Sequence, residues 1–195
     1  MSADLAPLLP FVVREAEGAE VDEAGEVVAA AYLADGLASA RYAARLRASR
    51  ERAEVARLVV AVDAAGGVLG TVTYARAGSP LADLCRNDAA AFADGVGNGG
   101  AGNGGAGNGG AELRMLGVLP RARGAGVAEA MVRWCLATAR ADGARRVLLS
   151  TQVQMHAAQR LYARLGFTRR PDLDWRPEPG VQLLGLELDL CGSAA

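Results

Sequence analysis

Glu112-Leu-Arg-Met-Leu-Gly-Val118 runs into Leu119-Pro120-Arg-Ala-Arg123-Gly-Ala-Gly126-Val-Ala128. The first segment predicts a strand that ends at Pro120, because proline has no N–H to give to a ladder. Beyond Gly124, residues Val127, Met131, Cys135 and Leu136 share one helical stripe, which predicts a helix from about Gly124 to Ala141. A glycine-rich turn that opens a helix presents unpaired backbone N–H groups at the positive end of the helix dipole. That is an anion site, and it suits a pyrophosphate. A dinucleotide loop of the form G-x-G-x-x-G would need glycine at Glu129, so that reading fails.

Downstream, Arg145–Thr151 predicts a strand and Met155–Leu165 a helix, stopped by Gly166 as a left-handed C-terminal cap. Phe167–Trp175 and Val181–Leu190 predict two further strands joined by Arg176-Pro-Glu-Pro-Gly180. Upstream, Leu58–Val62 and Val68–Tyr74 are β-branched runs around Asp63-Ala-Ala-Gly-Gly67, the chemistry of a hairpin. Phe11–Arg14 predicts a first strand. Two helices follow, Asp22–Leu33 with Asp22 as a candidate cap, and Ser39–Ala56.

Between the hairpin and Glu112 the composition changes. Asn98-Gly-Gly-Ala-Gly102 repeats as Asn103-Gly-Gly-Ala-Gly107 and then Asn108-Gly-Gly-Ala111. Such a tract has almost nothing to bury and much backbone entropy to lose. Residues 78–111 are therefore expected to be a flexible Gly/Asn-rich insertion in a single domain spanning 1–195. Loop closure costs only ~0.6 kcal/mol more per doubling of length, so a fold tolerates it. The tract lacks the regular Asp of a calcium-binding roll and the Gly-Lys-Ser/Thr of a phosphate loop. The resulting order of elements predicts an α/β (α+β) chain, a mixed sheet with helices on both faces.

Composition narrows the function. Against 22 acidic residues stand 21 basic ones, all arginine, for a net charge of −1. With the arginines interspersed among carboxylates, there is no nucleic-acid footprint. The absence of lysine excludes Schiff-base chemistry and a Walker lysine. Cys85, Cys135 and Cys191 show no paired or metal-binding spacing, which predicts free thiols, no metal site and a cytoplasmic protein. The N-terminal stretch lacks the pattern of a signal peptide, and no apolar run approaches the ~20 residues of a membrane span.

Read from Arg123, the glycine turn resembles the acetyl-CoA motif R/Q-x-x-G-x-G/A of the GNAT acetyltransferases, with Arg123, Gly126 and Ala128 matched. A register from Arg121 also fits formally. Arg123 is chosen because the family usually places this arginine five residues after the strand's last apolar residue, here Val118. Ala157-Ala158-Gln-Arg-Leu161-Tyr162-Ala-Arg-Leu165-Gly166-Phe167 is similar to the family's signature A-x-x-L-Y-x-x-L-G-F. The resemblance covers residues 112–190 closely and 11–76 through the order of elements. It implies a GNAT-like, mixed and mostly antiparallel central sheet, and acetyl-CoA as co-substrate of an N-acetyltransferase. It implies that amides at Arg123, Gly124, Ala125, Gly126, Val127 and Ala128 hold the pyrophosphate. Backbone at Leu116, Gly117 and Val118 would contact the pantetheine arm. Met155 falls where many family members have an asparagine that contacts the cofactor.

The same resemblance assigns two catalytic residues. Tyr162 would protonate the departing CoA thiolate, and Glu112 would take the proton of a primary amine as it attacks the thioester. The alternatives are a core tyrosine packed on Leu165 and Phe167, and a solvated glutamate. His156 reads as a solvent-facing helix residue, and Cys135 as core. Asp172, Asp174 and Glu178 around Trp175 would either select a cationic acceptor or form a solvated acidic turn. Tyr32, Tyr42 and Tyr74 are candidates to face the acceptor. A small-molecule or peptide amine is the expected partner, with neither nucleic acid nor membrane, and a homodimer is compatible. The rival is a non-catalytic CoA-binding module on the same fold.

Overall fold

The computed structural model describes residues 10–82 and 110–191. Along the chain stand β1 (Phe11–Glu15), α1 (Glu20–Ala34), α2 (Ala40–Arg47), α3 (Ser49–Ala53), β2 (Arg57–Asp63), β3 (Val68–Ala75) and β4 (Gly110–Val118). They are followed by α4 (Val127–Ala141), β5 (Arg146–Gln152), α5 (His156–Arg164), β6 (Thr168–Arg169), β7 (Trp175–Glu178) and β8 (Val181–Asp189). The strands form one open eight-stranded sheet in the order β1-β2-β3-β4-β5-β8-β6, with β7 on β8. The β4–β5 pair is parallel, whereas β1–β2, β5–β8, β6–β8 and β7–β8 are antiparallel. This is the mixed, mostly antiparallel sheet expected. Most of the insertion expected at 78–111 lies outside the described residues, and β4 begins at Gly110, two residues before the expected start.

By its contacts the chain divides into two units, Met1–Thr73 with Met115–Cys135, and Tyr74–Arg114 with Leu136–Ala195. In the first, β1 lies antiparallel to β2 from Phe11↔Asp63 to Glu15↔Val59. The β2–β3 turn forms as expected. Asp63 Oδ1 accepts from the amides of Ala65 and Gly67, both at 2.9 Å, and the Asp63 amide donates to Gly67 O at 3.0 Å.

Two expectations about the helices are corrected. Helix α1 begins at Glu20, its cap is Ala19 with no side-chain bond, and Asp22 instead pairs with Arg50. The start is fixed by Glu20, which accepts from both terminal nitrogens of Arg14 at 2.6 Å and from the Glu17 amide at 2.9 Å. These bonds, Arg14's first, hold the Glu20 carboxyl below its ordinary range. The single helix expected over Ser39–Ala56 is two helices broken at Ala48, although Ser39 does cap α2. The break persists because its freed carbonyls find donors. Arg52 is buried and donates to Arg45 O and Leu46 O, while Ser49 Oγ donates to Arg47 O. The corner presses on α1, where a Cβ at Gly25 would stand 2.6 Å from Arg47 O. Under these helices, Ala24 and Val27 pack with Val60, Val62 and Val68, and Val28 and Ala29 with Leu46.

In the second unit, β5 and β8 pair over seven residues, from Arg146↔Asp189 to Gln152↔Leu183. Gly110–Leu113 of β4 pairs with Arg146–Leu149 of β5. Helix α5 ends as expected, with Gly166 at φ 90 and the Phe167 amide returning to Tyr162 O at 3.0 Å. The strand expected over Phe167–Trp175 is interrupted. Only Thr168–Arg169 pairs with β8, a short 3-10 turn fills Pro171–Leu173, and β7 starts at Trp175. Pro171 removes a donor, and Asp174 Oδ1 takes the Gly185 amide of β8 at 2.9 Å, which replaces ladder bonding there. The expected connection Arg176–Gly180 shrinks to Pro179-Gly180, because β7 runs to Glu178.

Candidate active site

The glycine turn belongs to the first unit. After β4 the chain makes a 3-10 turn over Pro120–Ala122, and the Arg123 amide closes it on Pro120 O at 3.3 Å. Gly124 and Gly126 both sit at φ +80. An L side chain there costs about 1–2 kcal/mol, so glycine is required by the backbone itself. A Cβ at either position meets no protein atom within 4 Å. The first amide to bond within α4 is that of Ala130, to Gly126 O at 2.9 Å. The amides ahead of it stand at the helix N-terminus, where backbone N–H groups and the dipole together favour an anion.

Arg123, expected at the anion site, sends its side chain elsewhere. Its guanidinium donates to Val118 O at 3.2 Å, to Asp35 Oδ1 at 2.8 Å and to Ala31 O at 3.5 Å. It ties the turn to the end of α1, so its contribution to an anion would come through backbone geometry. Gly117 is buried against α1, since a Cβ there would meet Val28 Cα at 3.1 Å and Ala31 Cβ at 3.2 Å. Leu116 and Val118 flank it, partly buried. Met115 has φ 53 and is the only non-glycine among the described residues with positive φ. Methionine carries no preference for that conformation, so nothing in the sequence announced this irregularity just before Leu116.

The second unit holds the two residues expected to be catalytic. Tyr162 is buried, with its ring edge-on to Phe167 at 5.6 Å between centroids. Glu112 is buried on β4 and forms an ion pair with Arg114 at 3.7 Å. It is therefore not the solvated glutamate that was its alternative. Arg114 drew no notice in the sequence, where an arginine two residues along a strand from a glutamate looks like any polar neighbour.

The acidic group near Trp175 is largely neutralised. Arg169 pairs with Asp174 at 2.8 Å, and Arg170 pairs with Asp172 at 2.6 Å and with Glu187. Arg170 holds the Asp172 carboxyl below its ordinary range, and Arg169 does the same for Asp174. These two carboxylates are committed to arginines, which removes the basis for selecting a cation with them. The Trp175 indole donates to Ser150 Oγ at 3.3 Å.

Other residues fall where expected or are corrected. His156 is exposed at the start of α5, and Met155 stands at the N-cap without a side-chain bond. Cys135 is buried, and burial pushes its thiol up. Tyr74 is fully buried and donates to Asp142 Oδ2 at 2.9 Å, so it is a core residue. Tyr32 and Tyr42 pack on each other at 6.1 Å. Among the described residues, no group of three His, Cys, Asp or Glu is placed to hold a metal, and no helix is long and apolar enough to cross a membrane.

Comparison with known proteins agrees with this geometry. The chain is similar in fold to an acetyltransferase of the GNAT family from Staphylococcus aureus Mu50, with 13% identity over 93% of this chain and 99% of that one, at a TM-score of 0.67. An acetyltransferase from Streptococcus agalactiae is 14% identical, covering 92% of this chain and 98% of that one, with a TM-score of 0.64. A GNAT family acetyltransferase from Brucella melitensis, solved in complex with acetyl-CoA, is 19% identical over 93% and 89% of the two chains, with a TM-score of 0.56. No curated protein matches. The profile described as the acetyltransferase (GNAT) family matches residues 57–167, more than half of the chain. With strand, glycine turn and helix all inside that match, the chain belongs to the GNAT acetyltransferase family.

Proposed function

We propose that the protein is an acetyl-CoA-dependent N-acetyltransferase that moves an acetyl group to a primary amine by direct attack in a ternary complex. The observation that carries this is the turn at 124–126. Two left-handed glycines open α4, with backbone amides ahead of its first internal hydrogen bond. The amides of residues 124–128 would hold the CoA pyrophosphate, with Arg123, whose own amide is taken by Pro120 O, fixing the turn, and backbone at Leu116, Gly117 and Val118 would hold the pantetheine arm. An N–H near Val118 would polarise the thioester carbonyl.

The amine nitrogen attacks the thioester carbon and gives its proton to Glu112. As the C–S bond breaks, the sulfur takes a proton from the Tyr162 hydroxyl. Burial of both side chains supports these roles, because a proton carrier shielded from bulk water acts on the substrate it faces. In this proposal the whole chain is one domain with a Gly/Asn-rich insertion. It works in the cytoplasm on a small-molecule or peptide amine, alone or as a homodimer.

The test is release of free thiol from acetyl-CoA against a panel of polyamines, amino acids, aminoglycosides and peptides, with calorimetry of CoA on the same sample. Turnover with one amine class establishes the activity. Met155, which stands where many family members have a cofactor-contacting asparagine, favours the second reading, a CoA-binding module without catalysis. Tight CoA binding with no turnover across the panel would decide for that module, and no CoA binding would sink both.

A further inference from the structure

Glu112 and Arg114 project from alternate positions of β4 and so share one face of the strand. Their side chains are 6% and 11% exposed, and the ion pair between them spans 3.7 Å. A buried carboxylate without a counter-charge is costly, and removing one partner of a buried pair costs more than removing both. Arg114 is itself held from a second segment, since its Nη1 donates to Leu81 O at 3.2 Å. The guanidinium is thus braced between the turn at residues 78–82 and the carboxylate. Neighbouring cations are engaged elsewhere. Arg146 lies near Glu187, and Arg170 bonds Glu187 and Asp172.

We propose that Arg114 is the positioning residue for Glu112, fixing the carboxylate as proton acceptor for the incoming amine; this rests on Glu112 being the base. A carboxylate on a strand can rotate about three side-chain bonds. An ion pair to a braced guanidinium restricts that rotation before substrate arrives, which is the preorganisation that proton transfer needs. Arg114 takes no proton itself.

The experiment compares Arg114→Met, Arg114→Lys and Glu112→Gln, with acetyl-CoA and the best-turned-over amine of the panel. Arg114→Met should lower kcat by about tenfold to a hundredfold, the cost of a misplaced group, and leave KM for acetyl-CoA within about twofold. Arg114→Lys, or millimolar guanidinium added to Arg114→Met, should recover part of the loss. Unchanged kcat in Arg114→Met, with Glu112→Gln inactive, overturns the positioning role but keeps the base. A loss that neither lysine nor guanidinium repairs overturns it too, since packing alone would then explain the defect. Active Glu112→Gln removes the base, and the proposal with it. Thermal unfolding tests the pairing itself without any acceptor. The double variant Glu112→Gln/Arg114→Gln should melt above either single variant, and simple addition of the two losses would overturn the pairing.

Discussion

At the scale of single residues, what was legible followed from backbone chemistry and what was hidden lay in side-chain partners. Gly124 and Gly126 could be placed because an arginine-glycine turn between strand and helix has few other uses, and both adopt the left-handed conformation. Gly126→Ala should weaken acetyl-CoA binding about tenfold, or ~1.4 kcal/mol, while Ala125→Gly stays within about twofold. Calorimetry reads both. No protein atom resists the added Cβ, so equal affinities would mean that the pyrophosphate lies elsewhere. Tyr162 was singled out from sequence as the candidate acid, although its neighbours Leu165 and Phe167 offered a packing role, and the ring does pack on Phe167. The two roles separate on removal of one oxygen. Tyr162→Phe keeps the ring contact, so kcat should fall by about a hundredfold or more, as loss of general acid catalysis does, with the Kd for acetyl-CoA unchanged. Undiminished turnover would leave Tyr162 as core alone. The Arg123–Asp35 and Glu112–Arg114 pairs were not legible, because an ion pair 88 residues apart, or one on a strand face, leaves no periodic trace.

Elements were read well where periodicity and turn residues agreed, and poorly where side chains compete with the backbone. The β2–β3 hairpin and the glycine stop of α5 came from local chemistry and stand as expected. The break between α2 and α3 did not, because the helical pattern of Ser39–Ala56 continues through Ala48. A buried Arg52 stabilises the interruption by taking two carbonyls. The β6–β7 interruption has a similar cause in Asp174, which captures the Gly185 amide of β8. Asp174 also gives this element a pH dependence. Arg169 first, and the Gly185 amide after it, hold its carboxyl below the ordinary range in the folded protein. A lowered folded value stabilises above the unfolded carboxyl value of about 4, and the gain disappears as pH falls through the folded value. Asp174→Asn should therefore melt about 2–4 °C below the parent at pH 7, corresponding to roughly 1 kcal/mol once solvent screening is allowed for. The gap should close at acid pH, below the folded value of the carboxyl. A gap of equal size at both pH values would assign the loss to geometry and not to charge.

For the molecule as a whole, the alternation of strands and helices gave the mixed sheet. The grouping into two contact units stayed hidden, because β3, β4 and α4 each supply residues to both. Composition carries a different consequence. All 21 basic residues are arginine and none is lysine. A protein that keeps acetyl-CoA bound exposes its own amines to a reactive thioester, and neutral lysine side chains are the usual acceptors. Guanidinium groups stay protonated at any working pH and do not compete as nucleophiles. Cys135 is buried with its thiol pushed up, so it supplies no thiolate. The α-amino group, with an ordinary value near 8, is then the one stable amine acceptor in the sequence. Incubation with excess acetyl-CoA at pH 8, without added amine, should give an intact mass raised by at most one hydroxylamine-resistant acetyl group. Any acetyl on an exposed thiol such as Cys191 should be lost to hydroxylamine. Two or more resistant groups would reveal a nucleophile that the composition does not show. A single group or none bounds stable self-modification at one equivalent per chain, so thiol released beyond that equivalent and above the amine-free background measures transfer to the added amine.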